Sequence, residues 1–284
     1  MIVAGIDCGA KNTKTVIMKD GRIIGKGLAP TGFDQAGAVK ESFDAALKDA
    51  GVKAGDIEKT AGTGAGMDEI RNTDLKVNEV TAMARAANFF FPSARTVTDV
   101  GAEKGGAVRI DGKGNVLDFA VNEKCAAGAG AFIEAMARAL EVELEALGPM
   151  AMESGKSIAM NAQCAIFAES EVVGLIHART SKADISKAIH DAMASRIAPM
   201  IRRIGVNRDI VMIGGVGRNP GFVHSLKAEL EIDEVLIPED PAFGAAVGAA
   251  VVAGEGRAPK YSAPQVRDQP CSEAADVEPD RERA

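Results

Sequence analysis

One short pattern occurs twice in the chain and constrains its fold more than any other feature. Near the N-terminus, the apolar run of residues 2–6 leads into Asp7 and Gly9, followed by further strands and tight turns. A second apolar strand leads into Asp99 and Gly101, and strand–turn–strand signals follow it as well. An internal duplication on this scale indicates two related halves. We therefore expect an α/β protein of two similar domains, whose aspartates and glycine turns face one cleft.

Apolar residues at helical spacing predict six helices between and after the strands. These helices cover residues 36–50, 79–88, 129–142, 165–177, 183–204 and 243–252. Pro199 lies inside the longest of them and is expected to kink it. Residues 232–237 are predicted to form a further strand.

The duplication also predicts the domain boundaries. Residues 1–95 with the last helix, 240–254, are expected to form one domain, and residues 96–239 the other. From residue 255 to residue 284 the chain is rich in proline, serine and charged residues and has no apolar period. This composition predicts a disordered tail, in which Cys271 has no function.

The turn after the first strand has the composition of a phosphate-binding loop. Gly9 allows a ligand to approach the backbone, and successive N–H groups and polar side chains offer donors to phosphate oxygens. Asp7 ends the strand and is placed to hold a hydrated Mg²⁺, which prefers one or two carboxylates plus waters. A plain hairpin with a solvated basic tip would explain the same residues. The side chains of this turn are Lys11, Asn12, Thr13 and Lys14.

A third glycine turn follows an apolar strand in the second half. Gly214 and Gly215 would let a flat ring or a ribose approach the backbone, and Asn219 follows them. Coming after two Asp–x–Gly turns, this segment fits an adenosine contact. The glycine-rich residues 60–66 are not a P-loop, because no Gly-Lys-Ser/Thr follows them.

Two cysteines each precede an amphipathic helix. Cys125 stands before residues 129–142, and Cys164 stands before residues 165–177. Free N–H groups and the helix dipole at such a position favour negative charge on the sulfur or on a group that it holds. A cubane iron–sulfur cluster needs four cysteines, which two chains related by a twofold axis would supply. The alternative is that both residues are buried thiols, since free cysteine is usually buried.

Composition excludes several classes of function. The net charge is −7, the isoelectric point is about 5.2, and aromatic residues make up 4% of the chain, with no tryptophan. These values argue against nucleic-acid and anionic-membrane partners. No apolar stretch reaches transmembrane length, the N-terminus does not resemble a signal peptide, and four cysteines do not make a secreted disulfide scaffold. We expect a cytoplasmic protein.

The three turns resemble the nucleotide motifs of the actin/hexokinase/Hsp70-type ATPase fold. Residues 7–14 and 99–101 resemble its two phosphate motifs, and residues 213–219 resemble its adenosine motif. The cysteine segments 122–130 and 164–171 are similar to those of a narrower family. This family contains the ATP-dependent activators of 2-hydroxyacyl-CoA dehydratases and the ATP-binding subunits of benzoyl-CoA reductases. The resemblance covers residues 1 to about 253 and makes both predicted domains ATPase domains.

The resemblance implies a site and a set of cofactors. ATP and Mg²⁺ would bind in the cleft, where Asp7 and Asp99 position the metal and the attacking water. Cys125 and Cys164 from each of two subunits would bind one [4Fe–4S] cluster per dimer. ATP hydrolysis would then drive a low-potential electron, taken from reduced ferredoxin or flavodoxin, onto reductase or dehydratase subunits. The dimer would be a homodimer or a heterodimer with a sister ATPase subunit.

Two departures from the activators influence the choice within the family. Glu103 stands where activators have glutamine, which would change how water is positioned at the γ-phosphate, and residues 10–12 differ from their Gly-Ser-rich version. Both departures favour a benzoyl-CoA reductase subunit, with a dehydratase activator as the alternative. A small-molecule kinase and a regulatory ATPase on the same fold are the alternatives from other classes.

Overall fold

The structure is a computed structural model that describes residues 1–71, 73–122, 130–160 and 164–256. Two mixed β-sheets with flanking helices form it, which confirms the predicted α/β class. The predicted tail beyond residue 256 and the prediction at Cys125 lie outside the described residues. Within the described part of the chain, no helix is long and apolar enough to cross a membrane.

The first half of the chain forms a five-stranded sheet in the order β3-β2-β1-β4-β5. Its strands are β1 (Ile2–Cys8), β2 (Asn12–Lys19), β3 (Arg22–Pro30), β4 (Lys59–Thr63) and β5 (Leu75–Lys76). Its helices are α1 (Gln35–Ala50) and α2 (Glu79–Phe90). Both helices begin at a side-chain cap, because Asp34 accepts a hydrogen bond from Gly37 N and Asn78 accepts one from Thr81 N.

The second half forms a four-stranded sheet in the order β8-β7-β6-β9. Its strands are β6 (Thr96–Val100), β7 (Gly105–Ile110), β8 (Val116–Asn122) and β9 (Ile210–Ile213). The remaining helices are α3 (Gly130–Ala139), α4 (Leu144–Ala151), α5 (Ala165–His177), α6 (Lys182–Ile204), α7 (Pro220–Leu230) and α8 (Gly244–Glu255).

The two sheets repeat one arrangement, as the duplication predicts. In each sheet, two antiparallel pairs, β3-β2-β1 or β8-β7-β6, are followed by a parallel strand, β4 or β9, and the first sheet adds the short parallel strand β5. α8 packs on β1, β4 and α2 through its buried alanines and valines, so this helix belongs to the core of the first half. The core of the second half surrounds α6, whose apolar side is buried from Ile185 to Ile204.

Several sequence predictions of local structure need correction. Residues 232–237 do not form a strand, because only Leu236 pairs with β9 and Pro238 then removes a donor from the ladder. Helix α3 ends at Ala139, because Glu141 adopts a positive φ of 53°. Helix α8 continues through Glu255, the first residue of the predicted tail. The short helices α4 and α7 were not predicted, and a proline lies in each.

Candidate functional site

A cleft of about 570 Å³ lies between the two halves, at the ends of β1 and β6. The structure brings nearly all of the predicted nucleotide-site residues to its wall. These are Asp7, Gly9, Lys11, Asn12, Lys14, Asp99, Gly101, Glu103, Gly214, Gly215 and Asn219. Thr13 is the exception, since its side chain is buried and its hydroxyl lies 2.9 Å from that of Thr31.

The first corner of the cleft is built by the ends of β1 and β4. Asp7 is only 6% exposed, and its Oδ2 accepts a hydrogen bond of 2.9 Å from Lys14, the residue opposite it on β2. Thr63 lies beside Asp7 on the parallel strand β4, and Gly64 follows it with a φ of +96°. A Cβ on Gly64 would lie 2.5 Å from Asp7 Oδ1. The carboxylate therefore fits against a backbone that only glycine supplies.

The second corner repeats this geometry at the ends of β6 and β9. Asp99 lies beside Ile213 on the parallel strand, and Gly214 follows with a φ of +89°. A Cβ on Gly214 would overlap Asp99 Oδ1. The residue opposite Asp99 on β7 is Gly106. The second corner therefore has no equivalent of Lys14, which pairs with Asp7 in the first corner.

Asp99 is electrostatically unlike Asp7. In the described part of the chain, no side chain forms an ion pair with Asp99. Burial, and after it the negative charge of Asp7, raise the pKa of Asp99 to about 7, although the positive charge of Lys14 partly opposes them. The Asp99 carboxyl can therefore gain or lose a proton near neutral pH, or exchange that proton for a metal ion.

The charged side chains around the cleft favour a divalent cation. Four described cations line it, and each is paired with a carboxylate: Lys11 with Glu134, Lys14 with Asp7, Lys104 with Glu79, and Arg218 with Asp240. Six carboxylates line it as well, which leaves a formal excess of two negative charges. They are Asp7, Glu79, Asp99, Glu103, Glu134 and Glu145. A polyphosphate alone would be repelled here, whereas its Mg²⁺ complex fits this set of donors.

The third predicted loop follows β9. Gly215 begins a short 3-10 turn that ends at Arg218, and a Cβ on Gly215 would meet only open space. Asn219 uses its side-chain oxygen to cap α7, accepting a hydrogen bond of 3.1 Å from Phe222 N. Arg218 Nη2 lies 2.8 Å from Asp240 Oδ1, and Lys26 from the first half lies on the other oxygen of that carboxylate.

The predicted cysteine site is partly described. Cys164 is the N-cap residue of α5, is partly exposed and has a free thiol. Helix α5 packs on α3, the helix that follows Cys125 in the chain, although Cys125 itself lies outside the described residues. Among the described residues there is no group of three or more metal-ligating side chains. Helix α5 also exposes large apolar side chains, namely Ile166, Phe167, Val173 and Ile176.

Sequence reasoning missed Gly64, which lies next to the first corner, and the cleft carboxylates Glu79, Glu134 and Glu145. Gly64 was detectable, because it follows β4 as Gly214 follows β9. The three glutamates gave no signal, because a charged residue on a helix is usually solvated, and the partners of Glu79 and Glu134 are far away in the chain.

Two related α/β halves around a cleft with paired Asp–x–Gly corners define an ATPase of the actin/hexokinase-like fold. The chain belongs to the BadF/BadG/BcrA/BcrD ATPase family, whose model matches residues 4–253. The crystal structure of (R)-2-hydroxyglutaryl-CoA dehydratase component A from Acidaminococcus fermentans is similar, with a TM-score of 0.86 and 33% identity, over 90% of this chain and 98% of that one.

Two relatives help to choose between the two functions expected within this family, a benzoyl-CoA reductase subunit and a dehydratase activator. The 2-hydroxyisocaproyl-CoA dehydratase activator of Clostridioides difficile is 34% identical over 89% of this chain and 95% of its own length. A benzoyl-CoA reductase subunit of Thauera aromatica is 30% identical over 88% of this chain and 92% of its own length. The comparison therefore supports the activator alternative better than the reductase subunit that residues 10–12 and 103 favoured.

Proposed function

We propose that this protein is an ATP-hydrolysing activator of a 2-hydroxyacyl-CoA dehydratase and passes a low-potential electron to that partner. The observation that carries the proposal is the duplicated carboxylate corner, Asp7 with Gly64 and Asp99 with Gly214, within an activator-like chain. The greater similarity to activators than to the reductase subunit supports the choice of partner.

The residues of the cleft fit Mg²⁺ and ATP. Asp7 and Asp99 would hold the hydrated metal and orient the attacking water, while Lys14 fixes the position of Asp7. Backbone N–H groups beside Gly9 and Gly101 would bind phosphate oxygens, and the open space at Gly215 admits the adenosine. Catalysis in such a site is positioning and electrostatic stabilisation of the transferred phosphoryl group.

Cys164 fits a ligand of a shared [4Fe–4S] cluster. Its thiol stands where α5 presents free N–H groups, and the exposed apolar side chains of α5 suit burial against a second subunit. Cys125 and Cys164 of two subunits would together supply four thiolates. When bound, the cluster supplies one-electron transfer at low potential, with the electron taken from reduced ferredoxin or flavodoxin.

The domain division suggests how hydrolysis reaches the cysteines. Residues 1–95 with 240–254 would move as one domain and residues 96–239 as the other, with the cleft between them. Closure of the cleft is a hinge motion. Helices α3 and α5 pack together on the second domain, so the motion would change their placement relative to the other subunit.

Iron content and ATP hydrolysis, measured separately, test this proposal. Protein purified without oxygen should be a brown dimer with about four iron ions per dimer. Cys164→Ala should lose the iron and electron transfer to the dehydratase but keep ATP hydrolysis, whereas Cys271→Ala should keep all three. Full iron content in Cys164→Ala protein would refute the cluster assignment. Phosphate release that requires a hydroxyl acceptor would instead indicate a small-molecule kinase.

A further inference from the structure

An ion pair crosses the cleft between its two halves. Lys11 lies in the turn between β1 and β2, and its Nζ is 2.7 Å from Oε1 of Glu134 on α3. The Lys11 side chain is 52% exposed and lines the cleft, while the Glu134 side chain is 26% exposed. The phosphate loop of the first half is thereby joined to a helix of the second.

The same helix is also joined to the other phosphate loop. The first backbone N–H groups of α3, at Gly130 and Ala131, donate hydrogen bonds of 2.8 Å to the carbonyls of Gly101 and Ala102. Helix α3 therefore contacts both Asp–x–Gly loops, one through its backbone and the other through Glu134. Because α3 packs on α5, which begins after Cys164, a shift of α3 changes the surroundings of that cysteine.

Of the two lysines in the first phosphate loop, Lys11 is more open to a change of partner than Lys14. Lys14 is held by Asp7 within its own sheet and its side chain is only 16% exposed. Lys11 extends from a turn, is half-exposed, and its ammonium has three donors. A terminal phosphate carries more negative charge than a carboxylate and forms stronger charge-assisted hydrogen bonds with an ammonium group. It would therefore compete with Glu134 for Lys11.

We propose that Lys11 and Glu134 form a link that responds to the terminal phosphate of a nucleoside triphosphate. Lys11 leaves Glu134 for this phosphate, and α3 then keeps only its backbone contact with the loop at Gly101. Glu134 is a positioning residue that lowers the affinity of the cleft for a triphosphate relative to a diphosphate. The inference rests on the proposed function, since it needs a nucleotide in this cleft.

Thermodynamic linkage gives the expected size of the effect. If the triphosphate weakens the ion pair, loss of the ion pair strengthens triphosphate binding by the same factor. Glu134→Gln should therefore bind a non-hydrolysable ATP analogue with Mg²⁺ about fivefold more tightly. Its ADP affinity should change much less. Lys11→Met should bind the analogue about fivefold more weakly and lose most of the preference between the two nucleotides.

Calorimetric titration of the full-length protein with each nucleotide measures this preference. Glu145→Gln is the matched control, because it removes another carboxylate from the cleft wall and should change the ratio of the two affinities much less than Glu134→Gln does. A double-mutant cycle on thermal unfolding adds a second readout. The coupling energy between Lys11 and Glu134 should be measurable without nucleotide and should vanish with the ATP analogue. The coupling energy between Lys40 and Asp44, an exposed pair on α1, should be the same under both conditions.

The outcomes separate this inference from the proposed function. Wild-type protein that binds neither nucleotide would refute the proposed function itself. A second outcome would refute only the link. In it, wild-type protein binds both nucleotides, but Glu134→Gln changes the ratio of ATP-analogue to ADP affinity less than Glu145→Gln does. Coupling between Lys11 and Glu134 that persists with the ATP analogue would refute it equally.

Discussion

The two corners of the cleft share one backbone frame and differ in the charge that faces the aspartate. Asp7 and Asp99 occupy the same register position, and each lies against a glycine with a positive φ directly after the parallel strand. On the antiparallel strand, however, Asp7 faces Lys14 and Asp99 faces Gly106. Lys14 therefore compensates the charge of Asp7 within the folded chain. The charge of Asp99 has no such counterion and would be neutralised by a proton or a metal ion.

This difference shows which properties the repeated frame determines and which it leaves free. The frame places two carboxylates toward one cleft, because both strands end there and both glycines allow close contact. The neighbouring strand then supplies a counterion to Asp7 and none to Asp99, whose pKa burial and the charge of Asp7 raise to about 7. One half can thus serve as a fixed anchor while the other responds to what binds.

Breaking the shared frame should have the largest effect on stability. Gly64→Ala and Gly214→Ala each force a Cβ against an aspartate at a positive φ, which should lower the free energy of unfolding by about 3 kcal/mol. Gly21→Ala is the control, because Gly21 has a φ of +78° with nothing within 4 Å, and should lose only about 1 kcal/mol. Urea denaturation measures all three. Equal losses at the three glycines would contradict the close contact with the aspartates.

One substitution should have opposite effects at the two corners. Asp7→Asn leaves the mostly buried Lys14 without its partner and should lower the free energy of unfolding by about 2 kcal/mol at pH 8. Asp99→Asn removes a desolvated charge and should raise the free energy by about 2 kcal/mol at that pH. Both variants should lose ATP hydrolysis. Stability changes of the same sign would show that the corners are electrostatically alike.

The dependence of stability on pH should identify Asp99 as the source of this difference. Between pH 4 and about pH 7 the folded protein binds a proton at Asp99 that the unfolded chain has already lost. This contribution to the free energy of unfolding is therefore present at low pH and is lost as the pH rises to about 7. Between pH 5 and pH 8, the free energy of unfolding of wild-type protein without Mg²⁺ should fall by about 2 kcal/mol relative to that of Asp99→Asn. A constant difference between the two proteins would exclude this role.

The sequence predicted those parts of the fold that repeat or have a strong local signal. The Asp–x–Gly turns revealed the duplication, and helices α1, α5 and α6 were located to within one residue, because their apolar periods are long. Helix α4 was missed because it is short and contains Pro149, whereas α7 did have a start signal, namely Asn219 as the N-cap and Pro220 as the first helical residue.

The electrostatics of the site could not be predicted from local sequence. The Lys11–Glu134 pair joins residues 123 positions apart, and neither residue lies in a pattern that indicates the other. The pairing of Lys14 with Asp7 depends on strand register, which the hairpin signal did not specify. Residues 232–237 have the apolar composition of a strand, but only one of them reaches β9. Such properties follow from tertiary placement.

The smallest expected effect concerns the position four residues after each aspartate. The first half has Lys11 there and the second has Glu103, an exposed side chain on the cleft wall. Because an exposed charge is screened by water, Glu103→Gln should tighten the binding of an ATP analogue only about twofold and leave unfolding unchanged. The gain should disappear in high salt, which separates a charge effect from a new hydrogen bond. A change in the rate of hydrolysis much larger than the change in binding would instead show that Glu103 acts on the attacking water.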